Sequence, residues 1–305
     1  MELQSNICVV YRVNSNLVKE FGYTDLRVEF TAFGETTVVT EYTEYTDPAT
    51  GYLLYEFRFT NLAPQQMNDE IIATIYAYHD GEEYSRVYDN YSIVTYCKSQ
   101  LDAADSSAEL RTFLVDLINY GTAAQLKSGH NTANLAANEL TELQKSYGTV
   151  ANVAAKKVTN TKHEVIANPT LAYKVAALEL ADSVTVLIEI ELTGENKSPE
   201  GVEVIVSAAG FTWTYDLAEL DTKIADSGAT RYVLKVKELN PNQMRNDITF
   251  KAKKDGEVIS NTLLYSIESY VYGNAKDGDN SALANLLRAM LKYGVSAENY
   301  VKSLK

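Results

Sequence analysis

Closely spaced carboxylates are the first candidates for catalytic residues in this sequence. Two close pairs, Glu41 with Glu44 and Glu82 with Glu83, offer the acid and the second carboxylate that glycoside hydrolysis requires. The chain carries 41 acidic residues, however, so close pairs arise by chance. We therefore assign neither pair to catalysis.

The histidines and one acidic loop are the remaining candidates. His79, His130 and His163 have no nucleophile motif near them and no second histidine at metal-ligand spacing, so we interpret them as surface or loop residues. The loop Asp277–Asn280 resembles a fragment of a calcium site but lacks the ligand spacing and the bidentate glutamate. We expect it to cap a helix that begins at Ser281. The sequence therefore predicts a protein that is not an enzyme and has no metal and no cofactor.

Tyrosine is the outlier of the composition, with 22 residues against 8 phenylalanines and 1 tryptophan. In the strand pattern Ile71–Tyr78, Tyr76 and Tyr78 fall on the solvent-facing parity, and we expect the next strand to bring Tyr84 and Tyr88 alongside them. Exposed tyrosines on a rigid sheet make a binding platform, because each ring offers a large flat area and a hydroxyl group at low entropic cost.

A second aromatic group lies in the C-terminal half. Phe211, Trp213 and Tyr215 alternate along one strand pattern and therefore share a face. The aligned stretch of the first half, Thr36–Val39, has no aromatic residue, which favours a binding role over a shared core. The alternative that Trp213 is a core tryptophan stays open. These three residues and the four tyrosines are the predicted ligand-binding set.

Strands and helices must position these residues. Alternating or β-branched runs bounded by turn residues predict an antiparallel, immunoglobulin-like sandwich in each half. The predicted strands are Ile7–Val13, Asp25–Ala32, Thr36–Tyr42, Tyr52–Phe59 and Ile71–Tyr78, and then Ser183–Leu192, Val202–Ala208, Phe211–Leu217, Arg231–Val236 and Ile248–Ala252.

Helical periodicity follows each set of strands. Leu110–Gln125 and Leu283–Asn299 both repeat apolar residues at the spacing of one buried helical face. Each contains Tyr-Gly, at Gly121 and at Gly294. A helical glycine costs roughly 1 kcal/mol against alanine, so we expect another backbone to pack closely against both glycines. Ser106–Glu109 is a possible capping box, and a short helix is predicted around Thr141–Tyr147.

Matching motifs extend this similarity over most of the chain. Leu62–Met67 corresponds to Leu239–Met244, and Tyr91-Ser-Ile corresponds to Tyr265-Ser-Ile. The period is too long for a solenoid and is right for a domain. We predict an α+β protein of two tandem similar lobes, residues 1–152 and 153–305, each an antiparallel sandwich followed by packed α-helices.

Composition limits the partners. The formal charge of −14 argues against nucleic acid and anionic membrane, and no apolar run approaches membrane length. Cys8 and Cys97 could pair, although two small buried side chains are the commoner interpretation. Met1–Gln4 does not begin a signal peptide, so the chain is either cytosolic or part of a larger secreted protein. We expect a monomer.

The ordered motifs Leu-x-Pro-x-Gln-Met, Asp-Gly, Tyr-Ser-Ile and the helical Leu-x-x-Leu-Leu run ending in Tyr-Gly resemble a module of large secreted proteins of gut Firmicutes. Within that group, the two-lobed arrangement is similar to bilobed starch-binding domains of ruminococcal starch adherence (amylosome) proteins. The resemblance implies a secreted, non-catalytic module that holds starch or maltooligosaccharide in a groove of the two lobes. It also implies amylosome or cell-surface partners that act through other domains. No binding residue transfers through these motifs.

Two functional hypotheses remain. Aromatic rings that stack on pyranose faces, with polar side chains bonding the hydroxyl groups, would make a binding module for α-1,4-glucan. Alternatively, the lobes are structural or adhesive spacers of a surface protein, and the tyrosines serve strand packing.

Overall fold

The computed structural model describes residues 7–151, 153–158, 164–181, 183–237 and 239–305, with the side chain of Asn61 excepted. Of the predicted loop histidines, His163 lies outside these residues, and so does one residue at the predicted lobe boundary, 152. The fold is mixed α+β, 29% helical and 38% strand, with several antiparallel sheets. The described residues divide after Gly148 into two compact units, called the first unit (7–148) and the second unit (149–305).

Two antiparallel sheets make up the strand part of the first unit. The strands are β1 (Ile7–Asn14), β2 (Thr24–Ala32), β3 (Glu35–Val39), β4 (Thr43–Thr46), β5 (Leu53–Leu62), β6 (Ile71–His79) and β7 (Glu82–Tyr91). Their orders are β1-β5-β4 and β3-β2-β6-β7. Phe30 of β2 stacks on Phe59 of β5 with ring centroids 5.2 Å apart, and both side chains are buried. The core of this unit therefore lies between its two sheets.

The helices of the first unit are α1 (Asn16–Lys19), α2 (Ile93–Asp102), α3 (Ala108–Ser128) and α4 (Glu142–Ser146), with 3-10 turns at Pro64–Gln66 and Ala136–Glu139. The N-cap of α3 is Ser107, whose hydroxyl accepts the N–H of Leu110. The prediction of a capping box from Ser106 is therefore wrong by one residue, because the Ser106 hydroxyl donates to the carbonyl of Gln100 instead. The short helix after residue 141 is confirmed, with Thr141 as its cap.

The second unit also has two antiparallel sheets. The strands are β8 (Leu171–Leu180), β9 (Val184–Leu192), β10 (Val202–Ala208), β11 (Phe211–Asp216), β12 (Asp221–Ile224), β13 (Thr230–Val236), β14 (Ile248–Lys254), β15 (Glu257–Val258) and β16 (Leu263–Tyr265). Their orders are β12-β13-β9-β8 and β11-β10-β14-β15, and β16 also pairs with β14. Tyr173 of β8 contacts Phe250 of β14 with ring centroids 6.3 Å apart, so aromatic side chains again join the two sheets.

Helices α5 (Ile267–Asn274) and α6 (Ala282–Ser303) complete the second unit, with 3-10 turns at Leu217–Glu219 and Pro241–Gln243. Ser281 is the N-cap of α6, and the Asp279 carboxylate accepts the N–H of Ser281 at 2.8 Å. The residue that caps the helix is therefore Ser281, and the acidic loop supports this cap through Asp279.

Both helical glycines lie against a turn of backbone. A Cβ at Gly121 would come 3.1 Å from the Pro64 carbonyl oxygen and 2.7 Å from the Met67 sulfur. A Cβ at Gly294 would meet Pro241 and Met244 at 3.1 and 2.8 Å in the same way. The predicted close backbone approach is confirmed, and it explains why the Pro-x-Gln-Met and Tyr-Gly motifs occur together in each half.

The two cysteines do not form a disulfide. Cys8 is half-buried and Cys97 is buried. Burial raises the pKa of the Cys97 thiol to about 12, so this side chain behaves as a small apolar residue. Within the described residues, no helix is both long enough and apolar enough to cross a membrane.

Candidate functional site

The aromatic residues of β11 form a strip along the edge of a sheet. Phe211, Trp213 and Tyr215, called the β11 strip, pair with Ala208, Val206 and Val204 of β10, which are all buried. Residues directly paired across antiparallel strands share a face. The strip therefore lies on the side of the sheet that turns towards the core, but on its outermost strand.

Exposure varies along the β11 strip. Phe211 is 60% exposed, whereas Trp213 and Tyr215 are half-buried. The rings of Phe211 and Trp213 stack with centroids 6.1 Å apart and planes 28° from parallel. Trp213 is therefore not a fully buried core tryptophan. Stacking on Trp213 holds the Phe211 ring in place while most of the Phe211 side chain stays exposed, and an exposed aromatic ring can pack against the apolar face of a sugar ring.

The four tyrosines of the first unit do not form one cluster. The Asp80-Gly81 turn has two residues, both with positive φ, and it pairs His79 with Glu82. With this register, even-numbered residues of β6 share a face with odd-numbered residues of β7. Tyr76 and Tyr78 pair with Ser85 and Glu83, whereas Tyr84 and Tyr88 pair with Ala77 and Ala73. The expectation that β7 brings Tyr84 and Tyr88 alongside Tyr76 and Tyr78 is therefore corrected: the two pairs lie on opposite faces of the sheet.

Charged side chains engage the tyrosines of the outer face. The guanidinium of Arg27 lies 4.2 Å from the ring centroid of Tyr76 and donates to Glu83 at 2.8 Å. The hydrogen bond between Tyr78 and Glu83 raises the pKa of Tyr78, while Arg27 and then Tyr78 lower the pKa of Glu83. A ligand that stacked on the covered face of Tyr76 would have to displace Arg27. Tyr78 is 38% exposed.

Tyr84 and Tyr88 lie on the core-facing side of β7 but at its open edge. Tyr84 is 46% exposed and meets Tyr23 edge to face at 5.9 Å. Tyr88 is 39% exposed, meets Tyr11 of β1 at 5.0 Å and carries the guanidinium of Arg86 at 4.8 Å. Each of these tyrosines is thus held by a second aromatic ring, and part of its surface stays open to solvent.

The side chains considered for catalysis have structural partners. His79 stacks on Tyr23 at 4.7 Å and lies 3.2 Å from Asp80. His130 contacts Asp69 at 2.5 Å. Among the residues that the structure describes, no group of three or more histidine, cysteine, aspartate or glutamate side chains is arranged to hold a metal ion.

The carboxylate pairs also have partners. Glu83 accepts from Arg27, and Glu44 lies 4.0 Å from Lys19. Both are surface ion pairs, which ordinarily contribute little to stability.

A polar cleft in the first unit was not predicted from the sequence. It has a volume of about 530 Å³ and lies where β6 begins, β7 ends and α2 begins, against the loop that follows α3. We call it the Asn cleft, and its lining residues are Asn68, Glu70, Asn90, Tyr91, Ser92, Thr95, Asn131, Asn134 and Glu139.

Gln125 holds the wall of the Asn cleft that comes from the loop after α3. Its side chain is buried, donates to the carbonyls of Asn131 and Asn134 at 3.4 and 3.0 Å, and accepts the N–H of Ala136 at 2.8 Å. The Asp69 carboxylate fixes the other end of the loop by accepting from the Asn131 side chain at 2.8 Å. The loop is therefore a braced wall of the cleft.

The residue types that line the Asn cleft do not identify it as a site in the sequence. Asparagine is a common turn residue because it tolerates positive φ, and Asn90 and Asn131 do adopt φ values of 57° and 47°. Isolated asparagines therefore predict turns. The only signal of a site is that four of them come from three separate turns, and the sequence alone does not bring those turns together.

No protein-family model matches the chain, and a search of curated proteins finds no match. Functional inference for this protein therefore depends on the geometry of its own side chains and on the motif resemblance.

Proposed function

We propose that this protein is a non-catalytic carbohydrate-binding module for starch-like α-1,4-glucan, and that Phe211 and Trp213 are its main apolar contact. The observation that carries the proposal is the near-parallel, partly exposed ring pair on an edge strand. Rigid aromatic rings bury apolar area at low entropic cost, and pyranose rings present flat C–H faces to them. Tyr215, Tyr84 and Tyr88 are secondary contacts in this proposal.

The fold and setting that we propose follow the motif resemblance. Each unit would be an immunoglobulin-like sandwich followed by helices, and the two would descend from one duplicated lobe. Support comes from the inter-sheet aromatic contacts in both units and from the matching contacts at Gly121 and Gly294. We propose a monomeric part of a secreted cell-surface protein, which reaches amylosome partners through other domains.

Binding at the β11 strip can be measured directly, because Trp213 is the only tryptophan of the chain. Titration with a maltooligosaccharide should change Trp213 fluorescence saturably. Migration in native gels that contain amylopectin should be retarded, whereas cellulose or xylan gels should leave it unchanged.

Phe211→Ala is the sharpest variant, because a side chain that is 60% exposed contributes little to the core. We expect its affinity to fall about tenfold, which equals about 1.4 kcal/mol, or about 55 Å² of apolar contact at about 25 cal/mol per Å². Phe21→Ala is the matched control, since Phe21 is 59% exposed and lies in the first unit. We expect Trp213→Ala to weaken binding at least as much. Equal affinity of the Phe211→Ala and Phe21→Ala proteins would refute the strip assignment.

A structural or adhesive spacer is the second candidate. The observation that favours it is that Arg27 covers Tyr76 and Glu83 bonds Tyr78, so these tyrosines already serve contacts within the sheet. Equal mobility of the wild-type protein in amylopectin, cellulose and xylan gels, with no change in Trp213 fluorescence, would favour the spacer and end the glucan proposal.

A further inference from the structure

We propose that the Asn cleft is a second saccharide-binding site, in which sugar hydroxyl groups rather than sugar faces are bound. The inference rests on the proposed function for its ligand class only, because none of the lining residues belongs to the β11 strip. It assigns to the first unit a binding mode that depends on hydrogen bonds.

The carboxamides of the cleft keep unused hydrogen-bonding capacity on both of their atoms. Asn68 donates one N–H to the carbonyl of Asn134, and Asn90 donates one to Asp89. Asn134 donates one to Asn131 at the long distance of 3.4 Å. An amide group carries two N–H donors and an acceptor oxygen. In the described part of the chain, Asn68, Asn90 and Asn134 therefore each retain one N–H and the Oδ1 oxygen.

This combination selects the ligand chemistry. A hydroxyl group both donates and accepts, so a pair of hydroxyl groups satisfies a carboxamide edge completely. A cation would leave the spare N–H donors unpaired, and an anion would face the carboxylates of Glu70 and Glu139. Both carboxylates can accept further hydrogen bonds from hydroxyl groups. Only one Glu70 oxygen accepts the N–H of Asn90, and the nearest Glu139 oxygen lies 3.7 Å from the Lys98 nitrogen. A neutral polyhydroxylated ligand fits best.

The size and bracing of the cleft support the same ligand. The cleft is largely open to solvent, and its volume of about 530 Å³ lies within the range of small-molecule sites, about 300–1,000 Å³. The bonds from Gln125 and Asp69 hold the loop wall in place before a ligand arrives, and pre-ordered polar groups lose less entropy on binding.

The second unit differs at the matching positions. The repeated motifs align Asn68 with Arg245 and Gln125 with Glu298, and the Arg245 and Glu298 side chains lie 3.8 Å apart as an ion pair. The carboxamide donors of the first unit are thus replaced by charges that satisfy each other. We therefore assign the hydroxyl-binding site to the first unit alone.

The test follows the side-chain amide signals of the whole 305-residue chain by nitrogen-15 NMR, assigned through single Asn variants. The probes are maltotriose, cellotriose and xylotriose, with argininamide and inorganic phosphate as charged alternatives. We expect at least one trisaccharide to shift the signals of Asn68, Asn90 and Asn134 saturably. The same shifts should persist in the Phe211→Ala protein, which separates this site from the β11 strip.

Two substitutions remove cleft carboxamides without disturbing the backbone. Asn90→Gly suits the φ of 57° and keeps the N–H that bonds to Glu70. Asn134→Ala keeps the carbonyl that accepts from Asn68 and Gln125. The double variant should bind the trisaccharide about tenfold more weakly, as expected for two neutral hydrogen-bonding groups. Asn138→Ala, in the neighbouring 3-10 turn and not among the residues that line the cleft, is the control and should bind normally.

Three results would overturn the inference. One is that no trisaccharide moves the cleft signals. Another is that argininamide or phosphate moves them and no sugar does. The third is that the double variant and Asn138→Ala bind the sugar equally. If sugar changes Trp213 fluorescence but does not shift the cleft signals, only the second site is refuted. If sugar shifts the cleft signals but does not change Trp213 fluorescence, the β11 strip is refuted and the Asn cleft is supported.

Discussion

Replacing Gly294 by alanine tests the packing that joins the repeated motifs. The added methyl group would lie 2.8 Å from the Met244 sulfur, 3.1 Å from the Pro241 carbonyl oxygen and 3.3 Å from the Met244 Cβ. A methionine side chain can move. The Pro241 oxygen is less free to move, because it belongs to a backbone turn in which it accepts the N–H of Met244. The helix and the turn must therefore separate by a few tenths of an ångström.

Two effects of opposite sign determine the magnitude. Alanine is favoured over glycine in a helix by about 0.8–1 kcal/mol. Overpacking a well-packed site costs about 1–3 kcal/mol. The two effects are separated by Gly273→Ala in α5, because a Cβ at Gly273 meets no atom within 4 Å. We expect Gly294→Ala to be less stable than Gly273→Ala by about 1–3 kcal/mol, since the helix preference nearly cancels between them.

Urea denaturation followed by Trp213 fluorescence is the appropriate assay. Trp213, Gly273 and Gly294 all belong to the second unit, so the signal reports the unit that carries the substitutions. Gly273→Ala should match or exceed the wild-type midpoint, and Gly294→Ala should fall below it. In a Met244→Ala background the added cost should shrink, because the contact at 2.8 Å is gone. If Gly294→Ala stabilises the protein as much as Gly273→Ala does, the close-packing argument is wrong.

Two further predictions concern buried polar groups. Burial raises the pKa of Glu268, so the charged form of its side chain opposes folding. The stability of the wild-type protein should therefore fall as pH rises through the folded-state pKa of Glu268. Glu268→Gln should remove this pH dependence and stabilise the second unit at neutral pH, as measured by urea titrations. Gln125→Ala should destabilise the first unit by about 1–3 kcal/mol, because the N–H of Ala136 loses its partner. Faster hydrogen exchange at Ala136 would show this, and unchanged exchange would contradict it.

Strands with alternating or β-branched residues are predictable from the sequence. Val202–Ala208 forms β10 with the predicted bounds, because its buried valines alternate with Glu203, Ile205 and Ser207, which are exposed or half-buried. β8 (Leu171–Leu180) is not predictable in this way, since its sequence LAYKVAALEL consists largely of residues that favour helices. It is a strand because it pairs with β9 along nearly its whole length, and tertiary pairing overrides local preference.

The candidate sites are less predictable than the strands that carry them. Alternation within β6 correctly relates Tyr76 to Tyr78, but the face of Tyr84 depends on the length of the Asp80-Gly81 turn. Alternation within β11 likewise relates Phe211 to Trp213. Alternation does not reveal that these side chains are on the core-facing side of the sheet. They are nevertheless partly exposed, because β11 is an edge strand.

Partners within the protein, rather than exposure alone, distinguish the aromatic residues that suit a ligand. Tyr76 and Phe211 both lie on sheet surfaces, but the ring of Tyr76 carries the guanidinium of Arg27, which also bonds Glu83. A sugar that stacked there would replace a cation–π contact worth about 0.5–1 kcal/mol at an exposed site and would disturb an ion pair as well. Phe211 instead stacks on Trp213, a second aromatic ring, and its side chain stays 60% exposed. The β11 strip therefore keeps exposed apolar area for a ligand, whereas Tyr76 and Tyr78 are engaged by Arg27 and Glu83. For that reason the proposed sugar contacts of the first unit are better sought in the Asn cleft than on Tyr76 and Tyr78.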